Sequence, residues 1–411
     1  MNGALLLTKK FYQKSKKKSS GKILVFYFVI MAYFFVEKYL KKGDNITAMN
    51  EFIVCSTRSM HNYASNVISC LSQYLSFNKI SEQINGVELL HTDRFADGET
   101  EVTVNSSIRG KDVIIFSSSA RNEAGICVDE AKNELYHAVD ALKRAQAHKI
   151  IVFEPYISCS RSDRTTRRSS VGLWVHLKTL SGLGAKHIVT FQLHSDKSQT
   201  MVDPAVSAID NIPALTLLEQ YLCDTYIKTK EKLENEVHNN WAFCSADAGG
   251  EKLARTFANS FGAHLVVAHK QRDYSKPNTV ESVHILSAEP VEGKSLWIID
   301  DMIDTGGSVE TLIRALAPLN PKDINVIAVH PIFSPPASER LTSLSKEGLL
   351  NHIIVTDTVS CTDSIIKSIP NLEVVPSSEL SAKIIKSIVN NESMSKLLRA
   401  FSAGIYLNSK E

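Results

Sequence analysis

The residues best suited to chemistry lie in one short stretch, Ser295 to Ser308, which reads SLWIIDDMIDTGGS. Two adjacent carboxylates, Asp300 and Asp301, are followed by Asp304, Thr305, Gly306, Gly307 and Ser308. A Gly-rich turn opening a helix is an anion site, because backbone N–H groups point outward there and the helix dipole favours negative charge. The glycines allow close approach of the backbone, and Thr305 and Ser308 add hydroxyl donors. A phosphate in that cradle would leave Asp300 and Asp301 facing its carrier, as acceptors for sugar hydroxyls or for water-bridged Mg²⁺. The plain alternative is an acidic strand-to-helix turn with ordinary capping. Three Asp and TGGS in one register weigh against it.

The elements around this stretch must aim it. Leu296 to Ile299 is a short apolar run, as in a buried strand of a parallel sheet, and Val309, Leu312, Ile313 and Leu316 recur at helical spacing. The same alternation runs through the chain. Strands are expected at 52–55, 112–116, 149–153, 187–191, 240–244, 264–268, 324–330 and 352–356. Helices are expected at 62–75, 128–145, about 170–183 and near 378–390. Such an order predicts an α/β protein with two doubly wound parallel-sheet domains, whose ligands sit at the C-terminal strand ends.

Other polar stretches fall at those strand ends. The basic loop Arg161 to Arg168 follows one strand, and Gln192 to Asp196, with His194, follows the next. A charged loop is usually just solvated, and a lone His is more often structural. Their shared position at strand ends raises the odds of phosphate or metal binding. Ser245 to Gly250, with Asp247, repeats the strand, Gly turn and helix order. His269 to Asn278, carrying Lys270 and Arg272, has no apolar period and is expected to be a mobile loop or hairpin tip, a candidate lid. Asp93 to Glu99 reads as a turn.

With 411 residues, 44% of them hydrophobic, the chain can bury a large core and is expected to hold two domains. A net charge of +2 implies no nucleic-acid partner. Seven scattered cysteines without CxxC spacing point to a reducing compartment, with neither a disulfide framework nor a zinc site. Residues 1–48 differ from the rest: seven lysines precede an apolar run, Ile23 to Val36. Its 14 residues fall short of the roughly 20 that span a bilayer. The preferred expectation is a disordered or untranslated extension with Met49 as the working start, in a cytoplasmic protein. An organelle-targeting leader or membrane anchor is the alternative.

From about residue 50 to 402 the chain resembles the phosphoribosyl pyrophosphate (PRPP) synthetases, the ribose-phosphate pyrophosphokinases of the type I phosphoribosyltransferase fold. The resemblance is carried by RFADGE (94–99), IRGKDVIIFSSS (108–119), HAVDALKRAQAHKI (137–150), SRSDR (160–164), QLHSD (192–196), SADAGG (245–250), HKQR (269–272), WIIDDMIDTGGS (297–308), VHPIFS (329–334) and IIVTDT (353–358). It implies transfer of the β,γ-diphosphoryl group of ATP to the 1-hydroxyl of ribose 5-phosphate, giving PRPP and AMP with Mg²⁺ as cofactor.

By the same resemblance, Asp304, Thr305, Gly306, Gly307 and Ser308 hold the 5-phosphate, and Asp300 and Asp301 the ribose. Arg161 and Asp163 contact ATP, while Phe95, Asp97 and Glu99 reach its adenine from a neighbouring subunit. His194 and Asp247 position Mg²⁺, and Lys270 and Arg272 close over the transferring group. The implied domains are 49–205 on the ATP side and 206–375 on the ribose side, with 376–411 packing back. The implied assembly is a homo-oligomer (dimer, tetramer or hexamer) or a hetero-oligomer with related subunits.

Three departures stand out. Ser162 replaces the usual Gln, QLHSD replaces DLHAE, and ARNEAGICVDE after Ser119 is longer than the family loop, which puts ordinary phosphate activation in question. A non-catalytic regulatory subunit and a salvage phosphoribosyltransferase are the competing readings.

Overall fold

The computed structural model describes residues 51–74, 88–122, 124–165, 168–245, 249–272 and 280–410. The leader 1–48 and Asp247 lie outside them. Residues 50–411 form one compact unit.

In chain order the strands are β1 (Phe52–Ser56), β2 (Leu90–Arg94), β3 (Thr100–Val104), β4 (Asp112–Phe116), β5 (Lys149–Glu154), β6 (Ala185–Phe191), β7 (Ala208–Ile212), β8 (Trp241–Ser245), β9 (His264–Arg272), β10 (Val280–Ser287), β11 (Ser295–Ile303), β12 (Asp323–Pro331), β13 (His352–Thr356) and β14 (Leu372–Val375). The first sheet has the order β1-β4-β5-β6-β7, and the second β10-β9-β8-β11-β12-β13-β14. Every pairing in these two sheets is parallel except β9 with β10. The α/β fold with two parallel sheets is as expected. The antiparallel edge strand β10 and the small β2–β3 hairpin are additions.

β1, β4, β5, β6, β8, β11, β12 and β13 are buried on both faces, which is why they read as continuous apolar runs. One face of the first sheet is covered by helices Val128–Arg144 and Gly172–Leu183, through Leu135, Val139, Leu142, Leu173, Leu177 and Leu180. Its other face joins the second sheet in one continuous core. There Phe116 stacks on Phe153 at 4.7 Å, Phe153 meets Phe191 edge-on at 5.5 Å, and the three share a cluster with Phe243, Trp297, Ile327 and Ile354. Each such ring pair adds about 1 kcal/mol beyond burial of its area.

Helix Ser378–Val389 packs on helix His61–Leu71. Its register is pinned by Tyr63, whose hydroxyl lies 2.8 Å from those of both Ser377 and Ser381. The two halves therefore share a core, and their strand ends face a common junction.

One local expectation is corrected. β9 runs on to Arg272 instead of ending at Ala268, so Lys270 and Arg272 lie on a strand paired with β10, at the register Lys270 with Val283 and Arg272 with Val280. Of the two alternatives, loop or hairpin tip, the antiparallel β9–β10 pairing agrees with the hairpin; main-chain pairing at a sheet edge needs no apolar alternation, so the polar composition did not mark how far β9 runs. Residues 273–279 lie outside the described ones.

Candidate active site

β11 carries the apolar run straight to Asp300 and Asp301, then turns at Asp304 to Gly306 into helix Gly307–Leu316. Gly306 adopts φ 72°, a conformation L side chains rarely take. Gly307 is small for a different reason: a Cβ there would lie 2.9 Å from Arg340 Nη1. That guanidinium donates a 2.9 Å hydrogen bond to the Thr305 carbonyl and pairs with Glu310 at 3.3 Å, so it buttresses the turn from beneath. Helix Gly307–Leu316 begins without a side-chain cap at Gly306, so the turn delivers the positive end of the helix dipole to the strand-end carboxylates' side of the cavity.

The carboxylates are held apart by different partners. The Asp301 N–H donates to Asp300 Oδ1 at 2.9 Å, and Asp301 Oδ2 lies 2.7 Å from His194 Nδ1. Burial works to raise the Asp301 pKa, but the hydrogen bonds from His194 and Asp300 and the imidazole charge outweigh it and hold the group below its usual value. His194 is correspondingly raised, first by its hydrogen bond to Asp301, against partial desolvation. Asp163 adds to that rise through its charge, so it too stands near His194.

Arg161, on the loop after β5, pairs with Asp304 at 2.7 Å. Two adjoining cavities result. One of about 190 Å³ is lined by Arg161, His194 and residues 300–309. The other, of about 240 Å³, is lined by His194, Asp196, Gly249, Gly250 and Lys252, with Asp300 and Asp301 forming the shared wall.

The structure thus gathers Arg161, His194, Asp300, Asp301, Asp304, Thr305, Gly306, Gly307 and Ser308, with Asp163 close by. It does not bring Phe95, Asp97 and Glu99 to them. These form the β2–β3 tip, where Phe95 N–H bonds to the Glu99 carbonyl and Glu99 N–H to Asp97 Oδ1, with Phe95 52% exposed. Lys270 and Arg272 lie at the end of β9, and Asp247 falls outside the described residues. Sequence reading missed Arg340 and Lys252. Lys252 pairs with Asp196 at 2.5 Å beside the second cavity. Among the described residues no group of three or more His, Cys, Asp and Glu forms a closed metal cage.

Two open-edged parallel sheets with an acidic strand end and a Gly-rich loop at their junction define an enzyme of the phosphoribosyltransferase fold class. Family models for the N-terminal domain of ribose phosphate pyrophosphokinase and for the phosphoribosyl transferase domain match residues 52–184 and 227–356. The chain is 31% identical over 322 residues to the ribose-phosphate pyrophosphokinase of Fusobacterium nucleatum, covering 78% of this chain and 93% of that one. It is also 31% identical to that of Bacillus caldolyticus, covering 80% and 96%. The phosphoribosylpyrophosphate synthetase of Mycobacterium smegmatis superposes with a TM-score of 0.67 at 26% identity, covering 83% of this chain and all of that one. The chain belongs to the ribose-phosphate pyrophosphokinase family.

Proposed function

We propose that this enzyme transfers the β,γ-diphosphoryl group of ATP to the 1-hydroxyl of ribose 5-phosphate. The observation that carries the reading is the cavity in which Asp300, Asp301 and the Asp304–Ser308 turn meet Arg161 and His194 from the other half. The turn holds the 5-phosphate on backbone N–H groups and hydroxyls, and the strand-end carboxylates accept from the ribose hydroxyls. The 1-hydroxyl oxygen attacks the β-phosphorus in line, the bond from that phosphorus to the oxygen bridging it to the α-phosphorus breaks, and AMP leaves. The hydroxyl proton passes to solvent. No covalent nucleophile is needed, because such transfer is catalysed by positioning and charge stabilisation. Lys270 and Arg272 supply charge over the transferring group, and Arg161 and Asp163 orient ATP.

Mg²⁺ takes oxygen donors from one or two carboxylates together with phosphate and water. The Asp300 and Asp301 oxygens fit that preference without a closed cage, and His194 and Asp247 would help hold the ion. When bound, Mg²⁺ would offset the charge of the diphosphoryl group. The β2–β3 tip supports a further part of the reading: Phe95, Asp97 and Glu99 complete the ATP site of a neighbouring subunit in an oligomer. The ATP half runs past the expected boundary at 205 to the end of β7 at Ile212, which pairs with β6 in the first sheet, and the ribose half follows to 375, closed by 376–411. The direct test is AMP formation from ATP and Mg²⁺. AMP that appears only with ribose 5-phosphate supports the reading, and AMP formed equally without it contradicts it.

A further inference from the structure

Two non-glycine residues just past strand ends hold left-handed backbone, one in each half. They are Gln192 (φ 39°) after β6 and Phe333 (φ 45°) after β12. Such conformations persist only where the surroundings over-determine them. Here each is held by a side chain from the opposite half.

From the second half, His330 brings Nε2 to 3.1 Å from the Gln192 carbonyl, and its Nδ1 lies 2.9 Å from the Thr358 hydroxyl. The Gln192 carbonyl can only accept, so Nε2 carries the proton, and Nδ1 of the neutral ring accepts from the Thr358 hydroxyl, which also lies 3.2 Å from the Val329 carbonyl. The network therefore assigns the ring proton to Nε2, which donates it to Gln192. His330 is wholly buried, and burial pushes its pKa down to about 4, in keeping with a neutral ring. From the first half, Arg121 spans the gap the other way. Its Nη2 donates to the Pro331 and Ile332 carbonyls at 3.0 and 2.7 Å, Nη1 to Phe333 at 3.3 Å and Nε to Ser360 at 3.2 Å. Tyr156, Ala120, Met302 and Val359 pack dry around the crossing, with the Tyr156 ring 4.7 Å from that of His330.

This clasp lies directly beneath both half-sites. Gln192 leads in two residues to His194. The Phe333 N–H donates at 2.9 Å to the Ile303 carbonyl, one residue before Asp304.

We propose that Arg121 and His330 are positioning residues: their reciprocal hydrogen bonds set the separation between the Arg161–His194 side and the Asp300–Ser308 side of the site, without touching either substrate. The proposal rests on the two-substrate transfer argued above. In-line transfer requires the reacting atoms to be brought to near-contact, so a shift between the halves slows turnover while each substrate keeps its own contacts.

The test compares Arg121→Ala, Arg121→Lys, His330→Leu and His330→Gln in the full chain, with kcat, both KM values and melting curves measured together. In Arg121→Ala and His330→Leu, kcat is expected to fall about tenfold or more, with both KM values within about twofold. His330→Gln, whose amide can donate to the same carbonyl, is expected to restore most of kcat. Should the truncations fail to fold, Arg121→Lys keeps the charge but not the planar fork, and kcat is expected to fall several-fold. Folded variants with the parental kcat and only a lower melting midpoint would overturn the clasp, as would a change confined to the KM for ribose 5-phosphate. A parent chain that makes no AMP would instead overturn the reading beneath it.

Discussion

Arg161 Nη2 lies 2.7 Å from Asp304 Oδ2, so the basic loop of the first half and the phosphate loop of the second meet through one ion pair. The pair is half open to water, so its contribution to stability is small, about 0–1 kcal/mol. Its consequence is geometric: the group assigned to ATP and the group assigned to the 5-phosphate are one contact apart. Arg161→Gln should leave the melting midpoint nearly unchanged and lower kcat/KM at least about tenfold. Steady-state kinetics alongside calorimetry would check this, and full activity in the variant would remove Arg161 from the site.

Gly307 and Arg340 should act as one unit. A methyl at Gly307 meets the far end of a flexible side chain, so Gly307→Ala is expected to fold, with Arg340 displaced from the Thr305 carbonyl. The predicted result is a several-fold rise in KM for ribose 5-phosphate, matched by Arg340→Ala and not deepened in the double variant. Additive losses would show that the two act separately.

The β2–β3 tip predicts complementation. Phe95→Ala and Asp301→Asn should each be inactive alone if the tip serves a neighbour. Mixed and reassembled, they should regain part of the activity, because some sites then combine an intact tip with an intact carboxylate. No recovery from verified mixed oligomers would show that the tip does not serve a neighbour's site, and full activity of Phe95→Ala alone would place it outside the reaction.

Away from the site, Glu219 gives stability a pH dependence. It is 2% exposed with Oε1 unpartnered, and burial raises its pKa to about 7, opposed by a hydrogen bond from Ser260. The folded chain keeps this proton over a range where the unfolded chain loses it, so its contribution falls as pH rises from about 4.5 towards 7. Glu219→Gln should therefore gain about 3 kcal/mol at pH 8 and nothing below pH ~4.5. Denaturant unfolding at both pH values measures it. An equal gain at both would assign the effect to packing.

The parallel strands and the strand–turn–helix at residues 296–316 were legible because their signals are local. Leu296 to Ile299 needs only burial to read as a strand, and TGGS needs only its own turn. What escaped depends on partners remote in sequence. Arg340 acts on Thr305, Arg121 on residues 331–333 and 360, and His330 on Gln192, and none of these pairings leaves a periodic trace. The left-handed backbone at Gln192 and Phe333 carries no glycine to mark it. The extent of β9 and β10 was not legible, although a hairpin was one of the two alternatives, because edge pairing is made by main-chain groups that leave no side-chain period.

The measurement that bears most directly on the account is the fate of label placed on the β-phosphorus of ATP. With ribose 5-phosphate and Mg²⁺ present, the account predicts label in the sugar product and unlabelled AMP, in equal amounts. Label retained in ADP, with only the γ-phosphoryl group reaching the sugar, would contradict it.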